Sequence, residues 1–156
     1  MRRGTRLAVD VGAVRIGVAR CDPGGSLASP LATIARGAGD VGEIARLTAA
    51  HHVIEVIVGL PTSLSGRPGQ AAAQARAFAS DLAAALAPVP VRLVDERFTT
   101  VMAHAALSES GRDSRQRRPV VDQAAAALLL QGALDAERST GDPAGELVGS
   151  VQDGGR

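Results

Sequence analysis

The chain has 156 residues, 46% of them apolar, enough for one globular domain with a sizeable core and too apolar for a disordered chain. Phe78 and Phe98 are its only aromatic residues, which all but excludes binding by base stacking on aromatic platforms. The formal net charge is +1 and all 17 basic residues are arginine, so each cation is a planar fork suited to phosphate or carboxylate.

The first elements read as strands at Arg6–Val11 and Val14–Cys21, joined by a tight turn containing Gly12. Asp10 stands out in this greasy hairpin, and Arg15 lies second in its second arm. Leu27–Ile34 reads as a third strand, with Pro30 marking it as an edge. Asp40–His52 predicts a helix with Asp40 as its N-cap, and His51 and His52 fit its C-terminal end. Val53–Leu60 is a short β-branched run, hence a buried strand. The polar loop TSLSGRPGQ leads into a helix at Gln70–Leu86, whose Ala75, Phe78, Ala79, Leu82 and Leu86 share one face. Val91–Glu96 is the fifth strand. Thr99 or Thr100 caps a helix to about Glu109, GRDSRQRR reads as a basic loop, and Pro119 opens a last helix to about Asp135. From Glu137 the chain loses periodicity and gains glycine. The expectation is one domain over 1–136 and a disordered tail over 137–156. The order implies an α/β fold: a mixed five-stranded sheet, with a three-strand antiparallel meander and two parallel strands, flanked by helices.

Three carboxylates fall in dry places. Asp10 lies near the end of the first strand and Glu96 ends the fifth. Asp122 opens the last helix, on one face with Ala125, Ala126 and Leu129. A buried carboxylate is costly unless paired, hydrogen-bonded or metal-bound. Three of them at element ends suit hard cations such as Mg²⁺ or Mn²⁺, and two such ions can clamp a phosphodiester during hydrolysis. Each acid alone also has an ordinary reading. Asp10 can simply precede a turn, Glu96 can pair with Arg92 or Arg97, and Asp122 can complement the helix dipole. The cluster Arg112, Arg115, Arg117 and Arg118 is either a solvated loop or a clamp on phosphates.

In chain order, DVGAVRIGVA, ASPL at Ala28–Leu31, VGLPTSLSG, VDERFTT at Val94–Thr100 and VDQAAAALLL from Val121 resemble the YqgF/RuvX family of Holliday-junction resolvases, over roughly Arg6 to Leu134. The resemblance implies a ribonuclease-H-like fold and a metal-dependent nuclease. It implies catalytic and metal-ligating roles for Asp10, Glu96 and Asp122, with Mg²⁺ or Mn²⁺ as cofactor. Arg15, Arg97, Arg112, Arg115, Arg117 and Arg118 are then the expected nucleic-acid contacts. The family's basic stretch usually carries lysine; here it carries only arginine. The implied substrates are branched DNA or precursor 16S ribosomal RNA.

Two other readings stand beside it. One is a non-catalytic nucleic-acid or transcription-associated module. The other is an actin-like ATPase, which also uses a strand–Asp-x-Gly–strand hairpin but needs two large lobes. A resolvase that cuts two symmetric strands is expected to be a homodimer. A single cysteine, Cys21, precludes an intrachain disulfide and fits a reducing cytoplasm. Asp10 interrupts the only N-terminal apolar run, so neither a secretory leader nor a membrane span is expected.

Overall fold

The computed structural model describes residues 1–61, 69–95 and 114–149, with side chains from 121 onward in the last segment. The elements in order are β1 (Arg6–Val11), β2 (Arg15–Cys21), β3 (Ala28–Ala35), α1 (Asp40–Ala50), β4 (Glu55–Leu60), α2 (Gln70–Leu86), β5 (Val91–Asp95), α3 (Ser114–Thr140) and β6 (Glu146–Leu147). The sheet runs β3-β2-β1-β4-β5-β6. β1, β2 and β3 form the antiparallel meander, while β4 and β5 add in parallel to β1.

Strand alternation gives the sheet two unlike faces. Leu7, Val9, Ile16, Val18, Val56 and Val58 point to one side, where they pack with Ile44 of α1 and with Phe78 and Leu82 of α2. Ala8, Ala19 and Ile57 point to the other, against Ala126, Leu129, Leu130 and Ala133 of α3. Branched residues hold two helices at ordinary distance on the first face. Small residues on the second let one helix come close.

Several boundaries differ from those the sequence suggests. Asp40 is the first helical residue of α1, and Gly39 occupies the cap. The Asp40 carboxylate instead accepts the Gly37 N–H at 3.1 Å and pairs with Arg36. The basic stretch is not wholly a loop. α3 begins at Ser114, so Arg115, Arg117 and Arg118 lie in its first turns, and Pro119 is the sixth residue rather than the start. Arginine and glutamine are good helix formers, so the helix extends upstream of Pro119 although proline at the sixth position gives up the bond to the Arg115 carbonyl. The helix expected between Thr99 and Glu109, with the loop at 62–68, lies outside the described residues.

The sheet also has a sixth strand. Residues 137–149, expected as tail, contain the end of α3 and then β6, which pairs antiparallel to β5 through Arg92↔Leu147 and Leu93↔Glu146. Arg92 donates from Nε to the Ala144 carbonyl at 2.8 Å and from Nη2 to that of Gly145 at 2.9 Å. Gly145 has φ +82°, and a Cβ there would stand 2.2 Å from the Leu93 carbonyl. A two-residue strand carries no periodicity, so only its tertiary partners reveal it.

The far end of α3 is bolted down by charge. Glu137 accepts from Arg2 Nε at 2.9 Å and Arg2 Nη2 at 2.8 Å, and pairs with Arg6 at 3.3 Å. Arg6 is 1% exposed. Arg2 also reaches Glu55 at 3.0 Å. Hydrogen bonds from Arg2, first among several causes, hold the Glu137 carboxyl down to about 2 against an ordinary 4.5. A depressed carboxylate stabilises the fold above its unfolded pKa, and that stability is lost as pH falls through the folded value. Glu137→Gln is therefore expected to flatten the loss of stability between about pH 4.5 and pH 2, read by urea unfolding across that range. Glu137→Ala, which leaves Arg6 buried without its carboxylate, should cost about 3–5 kcal/mol at pH 7.

Candidate active site

The Asp10 side chain takes its direction from the strand. Ala8 belongs to the face covered by α3, and Asp10, two residues on, points the same way. Its register partner on β2 is Gly17. α3 crosses directly over that glycine: a Cβ on Gly17 would stand 2.0 Å from the Asp122 carbonyl oxygen and 2.9 Å from the Asp122 Cβ. Asp10 and Asp122 therefore adjoin the same glycine, one beside it in the sheet and one above it on the helix. Both are half-buried.

Asp122 is the ninth residue of α3, not part of its first turn. At 1.5 Å of rise per residue it sits about 12 Å from the helix start, where the dipole no longer accounts for an acid. Its partner is instead Arg15, whose Nε donates to Asp122 Oδ2 at 3.0 Å. Gln123, next in sequence, donates from Nε2 to Thr33 Oγ1 at 2.9 Å and ties the same turn of α3 to β3.

The turn after Asp10 is tight. The Gly12 N–H donates to the Arg15 carbonyl at 2.9 Å, and a Cβ on Gly12 would stand 2.8 Å from that oxygen. Closure of the hairpin thus requires this glycine whatever binds nearby. On the far side, Arg36 donates from Nη1 to the Gly12 carbonyl at 3.0 Å. The sequence pattern does not single out Arg36, because its partners lie 4 to 42 positions away on three different elements.

A family model for RuvX, described as Holliday junction resolvase, matches residues 4–136. The chain belongs to the RuvX family. It is thus a member of a nuclease family. A relative from a Nocardioides species is 59% identical over 153 residues, covering 95% of this chain and 98% of its own. One from Thermobifida fusca is 59% identical over 155 residues, with the same coverage. One from Streptomyces coelicolor is 55% identical over 152 residues, covering 95% and 90%. All three are named as pre-16S rRNA nucleases. Among solved structures, Thermus thermophilus RuvC in complex with a Holliday junction substrate superposes with a TM-score of 0.52. It is 18% identical, covering 90% of this chain and 99% of that one. That likeness supports the ribonuclease-H-like fold.

Of the residues expected in a RuvX site, the structure brings Asp10, Arg15 and Asp122 together around Gly17. Glu96, Arg97 and Arg112 lie outside the described residues. Arg115, Arg117 and Arg118 lie on the helical backbone of α3, upstream of Asp122. Arg92, a proposed structural partner for Glu96, is engaged with Ala144, Gly145 and, at 4.0 Å, Glu55. Among the described residues, no three of His, Cys, Asp and Glu gather closely enough to hold a metal.

The contact at Gly17 gives a direct test. Gly17→Ala places a methyl where the Asp122 carbonyl lies, so α3 must move away from β2. Overpacking of this kind costs about 1–3 kcal/mol or more. A thermal melt should show the loss, and an unchanged melting temperature would rule out the close approach.

Proposed function

We propose that this chain is a divalent-metal-dependent endonuclease that hydrolyses phosphodiester bonds in structured nucleic acid, with Asp10, Asp122 and Glu96 as the metal-binding and catalytic acids. The observation that carries the reading is the meeting of Asp10 and Asp122 at Gly17, at the end of β1. The donor set fits: carboxylate oxygens are hard ligands of the kind Mg²⁺ and Mn²⁺ prefer. Glu96, next in sequence after β5, is proposed as the third. Metal bound there would activate water and stabilise the leaving 3′-oxygen.

The chain's own residues supply positioning. The sheet fixes Asp10, so its carboxylate pays little entropy to be held in place. α3 carries Asp122 to the same spot and, at its first turns, presents the backbone positions of Arg115, Arg117 and Arg118. Like charges at a helix N-terminus oppose the dipole, and a phosphate backbone would relieve both. Arg15 neutralises Asp122 through the 3.0 Å ion pair, and Arg97 and Arg112 are proposed as further phosphate contacts.

Precursor 16S ribosomal RNA is the proposed substrate, supported by the names of the relatives above. The family description supports four-way DNA as a second. Symmetric cutting of a junction would require a homodimer, and RNA maturation would place the protein in the cytoplasm. One preparation offered both substrates with Mn²⁺ decides between them.

Asp10→Asn, Asp122→Asn and Glu96→Gln are each expected to abolish cleavage while leaving nucleic-acid binding nearly intact. Wild-type rates in all three would overturn the assignment. Failure of the well-folded protein to cleave either substrate would favour a non-catalytic binding module. Arg15→Gln removes the ion pair from Asp122 and should tighten Mn²⁺ binding severalfold in an electron-paramagnetic-resonance titration. Weaker binding would show that Arg15 supports the site rather than competes for it.

A further inference from the structure

The Asp10 hairpin is gripped from the face opposite α3. Arg36 follows β3 directly and holds both ends of the 12–14 turn. Its backbone N–H donates to the Val14 carbonyl at 2.9 Å, and its Nη1 donates to the Gly12 carbonyl at 3.0 Å. The guanidinium is itself anchored twice. Nε donates to Asp40 Oδ2 at 3.2 Å, and its carbon lies 5.3 Å from the centre of the Phe78 ring. Asp40 is fixed in turn by the N–H groups of Gly37 and Val41. Phe78 is 4% exposed in the core beneath α2.

We infer that Arg36 is a positioning residue for the nuclease site: it ties the Gly12 carbonyl, and with it the end of β1 carrying Asp10, to the α1–α2 layer. The inference rests on the reading of Asp10 as a catalytic acid. The physical case is the number of constraints on one side chain. Ala13 and Val14 are exposed, so the turn has little packing of its own and depends on polar ties. A charge-assisted hydrogen bond to a carbonyl is stronger than a neutral one. The planar fork lets one side chain serve the carbonyl, the carboxylate and the ring together. Arg36, Asp40 and Phe78 line a cleft of about 490 Å³ with Ala13 of the turn and with Gln74 and Asp81 of α2. Arg36 spans it from the turn to the helices, so the hairpin cannot settle toward α2 or drift from it. The side-chain partners of Arg36 among the described residues are Gly12, Asp40 and Phe78, on the face opposite α3. Its effect is transmitted through the turn.

The test compares Arg36→Met with Arg36→Lys. Both keep the backbone bond to Val14, so β2–β3 pairing survives. Lysine keeps a donor for the Gly12 carbonyl and a charge for Asp40; methionine keeps neither. Arg36→Met is expected to lower kcat on the order of tenfold to a hundredfold, the scale set by a misplaced reacting group, with KM little changed. Arg36→Lys should recover most of that loss. Amide hydrogen exchange at Gly12 should quicken on the order of tenfold in Arg36→Met, while Ala8 in the strand core stays protected. Should Arg36→Met fail to fold, Asp40→Asn, which weakens the anchor of the guanidinium, is expected to move both readouts the same way. Wild-type kcat and exchange in the methionine variant, or equal impairment of the lysine and methionine variants, would overturn the inference. The exchange measurement reads the hairpin whether or not the protein cleaves. A failure there is distinct from failure of the nuclease reading, which an inactive wild-type protein would show.

Discussion

The close approach of α3 to β2 over Gly17 is the constraint on which the site depends. A helix carrying leucine and alanine can reach a sheet at this distance only where the sheet offers small side chains or none. β1 and β2 meet that requirement with Ala8, Gly17 and Ala19 on one face. The branched residues are sent to the other face, where α1 and α2 need less intimacy. Because Gly17 is also the register partner of Asp10, the point of close packing falls beside an acid of the sheet. An acid on the helix is thereby delivered beside an acid on the sheet, both partly open to solvent.

Such a meeting of like charges is unfavourable by itself. The Arg15–Asp122 pair offsets part of it, and the opposite end of α3 is held by a much drier network of Arg2, Arg6, Glu55 and Glu137. The long helix is thus secured at its C-terminal end by buried ion pairs and in its middle by small-residue packing. The C-terminal end of the helix thus serves stability, and the proposed chemistry falls to the part that carries Asp122. The same division appears across the sheet. The α1–α2 face supplies an aliphatic core, and at its edge Arg36 links that core to the turn beside Asp10.

Two acids of the candidate site were legible in sequence because carboxylates among apolar residues are conspicuous. Asp10 interrupts an apolar run, and Asp122 shares a helical face with Ala125, Ala126 and Leu129. What could not be read was their environment. Asp122 resembled a first-turn acid because Pro119 resembled a helix start. The helix instead begins five residues earlier, which removes the dipole explanation and leaves tertiary packing in its place. Gly12 was legible as part of a tight turn, but its close approach to the Arg15 carbonyl, which leaves no room for a side chain, was not. Arg36 and Glu137 were not singled out, since each acts only through partners from other elements.

The sequence by itself determined the α/β order, the antiparallel meander followed by parallel strands, the aliphatic core and the candidate acids. These follow from local periodicity and from the cost of burying charge, which are properties of short segments. The tertiary structure decided which glycine α3 crosses, which arginine pairs with Asp122, that β6 joins the sheet edge, and that Arg36 clasps the hairpin. Each of these is a contact between segments far apart in the chain. Its existence depends on distances that only the packed sheet and helices establish, and no local pattern encodes them.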